Sequence, residues 1–123
     1  MDEIDYTIET FGRSMNINDL RFNRHNVVFL DVERMGALLI ERIHGDLLVY
    51  LAIAMPPYQK DVYARALQLC HFKKGMPLDV SVAYQNNERL ILAIRLCQAE
   101  VTMDRLSQSI RLLFYLYENI TDG

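Results

Sequence analysis

The sequence predicts a dimerising α+β domain, in which three helices pack on an antiparallel five-stranded sheet in the order α-β-β-β-α-β-β-α. Three observations support this prediction. Apolar residues recur at helical spacing in three segments, five further segments alternate or run apolar as strands do, and the breaks between neighbouring strands are short. A length of 123 residues, with 51% hydrophobic and 24% charged residues, is typical of one folded domain, which we assign to 1–123.

The first half of the chain is predicted to form one helix and a three-stranded meander. Ile4, Ile8 and Phe11 share one face of a helix over 2–15. The three strands are joined by short turns, which imply antiparallel pairing. They are predicted at Val27–Glu33, Ala37–His44 and Leu47–Met55. The third strand is apolar throughout, and this predicts a central position with both faces covered.

The second half is predicted to form a helix, a hairpin and a last helix. Pro56 and Pro57 end the third strand, and a helix with a wide apolar face is predicted over Tyr58–Phe72. The hairpin strands, which alternate between apolar and polar residues, are predicted at Leu78–Tyr84 and Arg89–Cys97. Thr102 is a suitable N-cap for a helix that runs to about Asn119.

Charge and hydropathy exclude several classes of partner. The 13 Lys and Arg are outnumbered by 16 Asp and Glu, giving a net charge of −3 without a basic run, so we expect no nucleic-acid binding. The longest apolar stretch, Leu47–Met55, is far shorter than the roughly 20 residues of a membrane helix, and no membrane insertion is expected. The first residues are acidic where a signal peptide is basic. We therefore expect a cytoplasmic protein with Cys70 and Cys97 reduced.

The sequence contains no pattern typical of catalysis. His25, His44 and His71 fall in separate elements, and the five glycines are scattered singly rather than arranged as a phosphate-binding loop. Glu33 and Glu41 stand on the two arms of the first hairpin, where acids commonly keep a sheet edge soluble. We therefore expect no catalytic, cofactor-binding or metal-binding residue, and no enzyme.

The sequence has more apolar surface than one small core needs. The first two strands carry apolar residues on both faces, and the second helix is apolar over a wide arc. Small monomers rarely expose apolar patches beyond a few hundred Å². Six Met and seven Tyr suit an adaptable contact surface. We therefore expect another protein chain to cover part of this domain.

The order of elements, the length and the acidic balance resemble the class I type III secretion chaperones of Gram-negative bacteria, the CesT/SycE-like group. The stretch VVFLDVERMGALLIERIHGDLLVYLAIAM, residues 27–55, resembles the SycN-like branch in particular. This resemblance implies a cytoplasmic dimer, with the second helix and the neighbouring strand at the interface. It implies binding of the N-terminal region of one secreted effector or gatekeeper protein as extended chain, which stays soluble and secretion-competent until delivery to the secretion ATPase. It also implies that a related chaperone could replace the second identical subunit.

Two sets of site residues follow from the resemblance and the apolar pattern. An extended client is able to pair with a sheet edge, which gives affinity through the backbone and specificity through side-chain pockets. The residues predicted to bind the client are Ile4, Ile8, Phe11, Val27, Phe29, Leu39 and Ile43. Those predicted at the dimer interface are Val62, Tyr63, Ala66, Leu69, Cys70, Val80 and Val82.

Three alternatives stay open at the level of sequence. The pattern does not say which face of the sheet the helices cover. A small dimeric adaptor of the roadblock type is a second function, although its order begins with two strands before the second helix and this chain has three. A small-molecule sensor or an undetected enzyme is a third, which a pocket lined by a few convergent polar groups would favour.

Overall fold

The computed structural model describes residues 2–54, 60–71, 78–85 and 89–121. Three helices and five strands appear in the predicted order α-β-β-β-α-β-β-α, and the α+β prediction is confirmed. They are α1 (Glu3–Ser14), β1 (Val27–Val32), β2 (Gly36–Ile43), β3 (Asp46–Ala54), α2 (Lys60–His71), β4 (Ser81–Gln85), β5 (Arg89–Leu96) and α3 (Met103–Thr121), with a 3₁₀ turn at Gln98–Glu100 before α3. None of these helices combines the length and apolar character that crossing a membrane requires.

The five strands form one antiparallel sheet in the order β1-β2-β3-β5-β4. The apolar strand β3 is central, as its composition predicts, because β2 pairs with one of its edges and β5 with the other. Strands β1 and β4 are the two edges. The β4–β5 hairpin therefore joins the β1–β3 meander through β5, and the sheet depends on pairing between distant parts of the sequence.

The observed elements differ from the predicted ones mainly at their ends. Strand β4 begins at Ser81 rather than Leu78, because Ser81, opposite Ala93, is the first residue of the segment that pairs with β5. The predicted ends at Met55, Tyr58 and Phe72 lie outside the described residues. Helix α3 ends two residues later than expected, at Thr121.

All three helices contribute to one core on a single face of the sheet. Successive residues of a strand point to opposite faces, so every second side chain of each strand enters this core. Its strand members, at most 2% exposed, are Val28, Leu38, Ile40, Leu47, Val49, Leu51, Ile53, Leu90, Leu92, Ile94 and Leu96. The helices contribute Ile8, Phe11, Val62, Ala66, Leu106 and Leu113. Each fully buried Leu, Ile or Phe side chain contributes about 1.5–3 kcal/mol of transfer free energy, so the helix–sheet layer dominates the stability.

Helix α1 is fastened to β2 through its first turn. Asp2 and Asp5 form a capping box, in which Asp2 Oδ1 accepts from the Asp5 amide at 2.9 Å. Arg42 donates to both carboxylates, and its guanidinium lies 5.8 Å from the ring centre of Phe22. The Arg42 guanidinium and the Asp5 amide lower the pKa of Asp2 to about 2. One arginine thus joins α1, β2 and the loop that connects α1 to β1.

The turn between β1 and β2 is held from two sides. Gly36 has φ +140°, and a Cβ at this position would lie 2.1 Å from the carbonyl oxygen of Ala52 on β3. Glycine is therefore the residue that lets β2 approach β3 at its first residue. From the helix layer, the Tyr117 hydroxyl donates to the carbonyl oxygen of Arg34 at 2.7 Å.

Candidate protein-binding face

The face of the sheet opposite the helices is open and largely apolar. We call it the open face. It consists of Val27, Phe29, Asp31, Ala37, Leu39, Glu41, Ile43, Leu48, Tyr50, Ala52, Ala83, Ile91 and Ala93, together with polar residues at its border. Phe29 is 60% exposed, and among the described strand residues it is the one large hydrophobic side chain that is exposed. An apolar face of this kind marks a protein contact.

The strand register arranges the open face into rows that cross the strands. One row runs Phe29, Leu39, Tyr50, Ala93, Ser81, and the next runs Asp31, Ala37, Ala52, Ile91, Ala83. The first row begins with three large side chains, whereas alanines form most of the second. The large side chains of the first row therefore form a ridge on β1–β3, and the alanines of the second row form a shallow groove beside it. Side chains of a partner are able to pack into this groove.

Charges of opposite sign border this face at its two sides. Asp31 and Glu41 lie on the β1–β2 side, and Arg89 and Arg95 on β5. Burial raises the pKa of the Tyr50 hydroxyl, and the nearby Glu41 carboxylate raises it further. Glu41 thus places a negative potential on the apolar ridge.

Arg95 is already engaged by the sheet itself. Its Nη2 lies 2.9 Å from Asp46 Oδ2, and the other carboxylate oxygen of Asp46 accepts from the Gln98 amide at 3.0 Å. The Arg95 guanidinium and then the Gln98 amide lower the pKa of Asp46. This pair fastens the 3₁₀ turn to the first residue of β3, so Arg95 is neutralised by Asp46 rather than by the acids near β1.

The backbone of β1 is presented to solvent at the same residues. The Arg42 amide donates to the Asn26 carbonyl at 2.8 Å, which makes Asn26 and Arg42 a hydrogen-bonded pair. In an antiparallel ladder such pairs recur at every second residue, so Val28 and Leu30 direct their N–H and C=O groups toward β2. Phe29 and Asp31 direct theirs outward, away from the sheet. Residues with outward backbone groups are thus also those with side chains on the open face.

The structure separates the predicted client-binding residues into two groups. Val27, Phe29, Leu39 and Ile43 lie together on the open face, where they are half-buried or exposed. Ile4, Ile8 and Phe11 are at most 6% exposed and lie in the core between α1 and the sheet. The assignment of these three to a client surface is therefore corrected, because atoms of this chain already cover them. An amphipathic stripe has the same spacing whether its own sheet or a partner covers it.

Four of the predicted dimer residues are buried within the chain in the same way. Val62, Ala66, Cys70 and Val80 are at most 7% exposed in the monomer, and Val82 is half-buried against the core. The side chains of Tyr63 and Leu69 lie outside the described part of the chain. The prediction is corrected for the four buried residues, because α2 uses this stripe against α3 and β4. The described residues that α2 exposes are Asp61, Ala64, Leu67 and Gln68.

Sequence reasoning missed several residues of the open face. They are Leu48 and Tyr50 on β3, and Ile91 and Ala93 on β5. Strand β3 is apolar on both faces, so its alternation is hidden, and its sequence reads only as a buried strand. The signal available was Tyr50, whose hydroxyl favours a wet boundary over a closed core.

Other features of the described residues offer little for catalysis. No group of three His, Cys, Asp or Glu side chains gathers there as a metal site would require. Both cysteines are free, and Glu100 together with Asp46 raises the pKa of the exposed Cys97 thiol, which favours its unreactive form. A concavity of about 580 Å³ between Tyr6 and Val101 is a wide groove on the helix side of the molecule, away from the open face.

The family model of the type III secretory system chaperone SycN matches residues 3–121, which is nearly the whole chain. The chain belongs to the SycN family of type III secretion chaperones. The predicted resemblance to these chaperones, including its SycN-like branch, is thus confirmed. Among curated proteins, none has a sequence that matches this chain.

Solved structures agree with the SycN family at the level of fold. The Yersinia pestis type III secretion chaperone SycH, solved in complex with a fragment of YscM2, has a TM-score of 0.72 at 12% identity, covering 96% of this chain and 99% of its own. A chain of the ExsC–ExsE complex has a TM-score of 0.75 at 12% identity, with coverage of 97% and 93%. A chain of the heterodimeric ExoU–SpcU complex of Pseudomonas aeruginosa has 0.66 at 21%, with coverage of 94% and 95%.

Proposed function

We propose that this SycN-family chaperone acts in the cytoplasm of a Gram-negative bacterium and binds the N-terminal region of a secreted effector or gatekeeper protein as extended chain. One observation carries the proposal. At Phe29 on β1, the backbone N–H and C=O groups point away from the sheet, and the exposed side chain lies on the apolar open face. An extended segment placed beside β1 would gain hydrogen bonds from the edge and apolar contacts from the face. The solved complexes of SycH and of SpcU, which pair each with another protein, support a binding role.

The mechanism follows from the kind of surface that this site provides. A sheet edge binds a segment through its backbone, so the segment is held unfolded rather than in a globular structure. Its apolar side chains lie against Phe29, Leu39 and Tyr50 instead of against other copies of the client. The bound region would therefore stay soluble and remain thin enough for secretion. No bond is made or broken, and no cofactor is needed for such a role.

Assembly with a second chaperone subunit is part of the proposal. Helix α2 exposes Leu67 to 43%, next to the exposed Ala64 and Gln68. This surface is suited to a helix of a second copy or of a related chaperone, because the apolar Leu67 side chain stands there beside the small Ala64. Delivery of the loaded client to the secretion ATPase would follow. We propose no contact with nucleic acid or membrane.

The first test replaces Phe29 by Asp and measures client binding. The probe is the N-terminal segment of each protein encoded beside this chain, co-expressed with it and then titrated by calorimetry. The substitution removes a ring that the client would bury and adds a charge in its place. It is therefore expected to weaken binding about 10- to 100-fold. The matched control is Tyr115→Asp, since Tyr115 is 61% exposed but lies on α3. Equal binding by both variants would place the client elsewhere on the molecule.

A further inference from the structure

We propose that the client segment that pairs with β1 has basic side chains two residues before and two residues after an apolar one. This inference rests on the proposed function and names the chemistry of the client. Within the described residues, two carboxylates, Asp31 and Glu41, flank the apolar pair formed by the exposed Phe29 and the half-buried Leu39 on the open face. A segment that covers the apolar pair would therefore pass between two negative charges.

The positions of the two carboxylates follow from the register. Phe29 is opposite Leu39, Asp31 is opposite Ala37, and Glu41 is opposite Val27. Asp31 stands two residues after Phe29 along β1, and Glu41 stands two residues after Leu39 along the antiparallel β2. The two acids are thus at opposite ends of the same short apolar patch.

Neither carboxylate has a cation within ion-pair distance in the part of the chain that the structure describes. Three acids elsewhere are engaged by arginine: Asp2 and Asp5 bind Arg42, and Asp46 binds Arg95. The Glu41 charge acts on its surroundings, since it helps to raise the pKa of Tyr50. The two carboxylates therefore place negative charge at this end of the face, and no cation of the described residues pairs with either.

A strand added to β1 would place its side chains at defined points. It would lie about 4.8 Å from β1, with every second side chain on the open face. The residue opposite Phe29 would contact the ring, and the residue opposite Asp31 would lie beside its carboxylate. The outward N–H and C=O of Val27 are already bonded to Asn23, so the backbone of the segment leaves the edge beyond Phe29. Its next residue on this face lies over Val27, from where a Lys or Arg side chain is long enough to reach Glu41.

Charge complementarity therefore decides the occupant of these positions. Like charges placed directly opposite each other on a sheet destabilise the pairing, and opposite charges stabilise it. A basic–x–apolar–x–basic segment satisfies both carboxylates and covers Phe29. Because the pattern is symmetric, it fits β1 in a parallel or an antiparallel direction. Two partly exposed ion pairs would favour it over the acidic counterpart by about tenfold in affinity.

The experiment selects from a displayed library of random short peptides on the immobilised full chain. Selection is repeated on the double variant Asp31→Lys/Glu41→Lys and on the matched control Glu9→Lys/Glu118→Lys, which makes the same change of net charge on helices α1 and α3. Circular dichroism and thermal melting of each variant establish that it is folded. Affinities of one enriched peptide and of its charge-reversed form are then measured by fluorescence anisotropy.

We expect the wild-type chain and the control to enrich Lys or Arg four residues apart around an apolar residue, and the double variant to enrich Asp or Glu there. The charge-reversed peptide should bind the wild-type chain about tenfold more weakly. Enriched apolar peptides without this basic pattern, or a preference unchanged in the double variant, would overturn the inference while leaving the proposed function in place. A library that yields no peptide for any chain would overturn both.

Discussion

Single residues fix the geometry of the binding edge. Gly36 allows β2 to begin next to β3, because any side chain there would meet the Ala52 carbonyl oxygen. Tyr117 holds the adjacent turn by its hydrogen bond to Arg34. Phe29 and Asp31 lie on the strand that leads into this turn. The path of the edge strand, and with it the proposed position of the client, therefore depends on a glycine that lies outside the open face.

At this scale we predict that Gly36→Ala destabilises the protein by about 2–3 kcal/mol, since the Cβ meets backbone rather than a movable side chain and the positive φ adds strain. The free energy of unfolding in urea measures it. Gly45→Asn is the control, because only the end of the Gln98 side chain lies near Gly45 and Asn tolerates positive φ. A loss at Gly36 no larger than at Gly45 would contradict the argument.

Helix α1 is held to the sheet in two ways. Its first turn forms ion pairs with Arg42, and its apolar face packs in the core along the rest of its length. Its amphipathic stripe predicts the helix correctly, with bounds off by a single residue at each end. The contact with Arg42 was not predictable, since Arg42 lies some forty residues away in sequence. Periodicity reports which side chains share a helix face, but the partner of an exposed charge depends on the tertiary fold.

We predict that the first turn of α1 loosens in acid as the Asp2 carboxylate is protonated. The folded pKa of Asp2, about 2, is below its ordinary value of 3.8, so the contact with Arg42 stabilises the fold above about pH 4. This contribution is lost as the pH falls from about 4 through 2. Amide exchange of α1, followed by NMR, should accelerate over this range.

The variant Asp2→Asn should exchange faster already at neutral pH and lose this part of the acid response. Glu9→Gln is the control, because the Glu9–Arg13 pair, at 3.9 Å, is a weak surface contact within the same helix. Direct NMR titration of the Asp2 carboxyl is decisive. A titration midpoint of Asp2 near its ordinary pKa of 3.8 would show that the Asp2 carboxylate is not bound by Arg42.

At the scale of the whole molecule, the sequence predicts the layer architecture but not the orientation of its faces. Alternation in β1 and the continuous apolar run of β3 indicate the meander and its centre. Phe29 and Val28 are equally apolar, however, and only the assembled helices determine that Val28 is buried and Phe29 exposed. This is why three of the seven residues predicted to bind the client lie in the core.

Oligomeric state is predicted at this scale. Leu67→Asp should leave the monomer folded but reduce a species of twice 14.4 kDa to single mass in light scattering, because an unpaired charge is costly in a desolvated interface. Val62→Asp should instead unfold the chain, since Val62 is 7% exposed within its own core. If a related chaperone is the natural partner, the same contrast is measured on the co-expressed pair. A Leu67→Asp protein of unchanged mass would move the interface away from α2.

The strand order has a consequence for the folding of the chain during its synthesis on the ribosome. Strands β1, β2 and β3 pair with immediate neighbours and are able to form as soon as they emerge, but the second partner of β3 is β5, which begins only at Arg89. Until β5 has been synthesised, one edge of the apolar strand β3 has unpaired backbone N–H and C=O groups. Slow closure of distant strand pairs is a period of exposure to aggregation. The nascent chaperone is therefore itself prone to aggregation until β5 has been synthesised and pairs with β3.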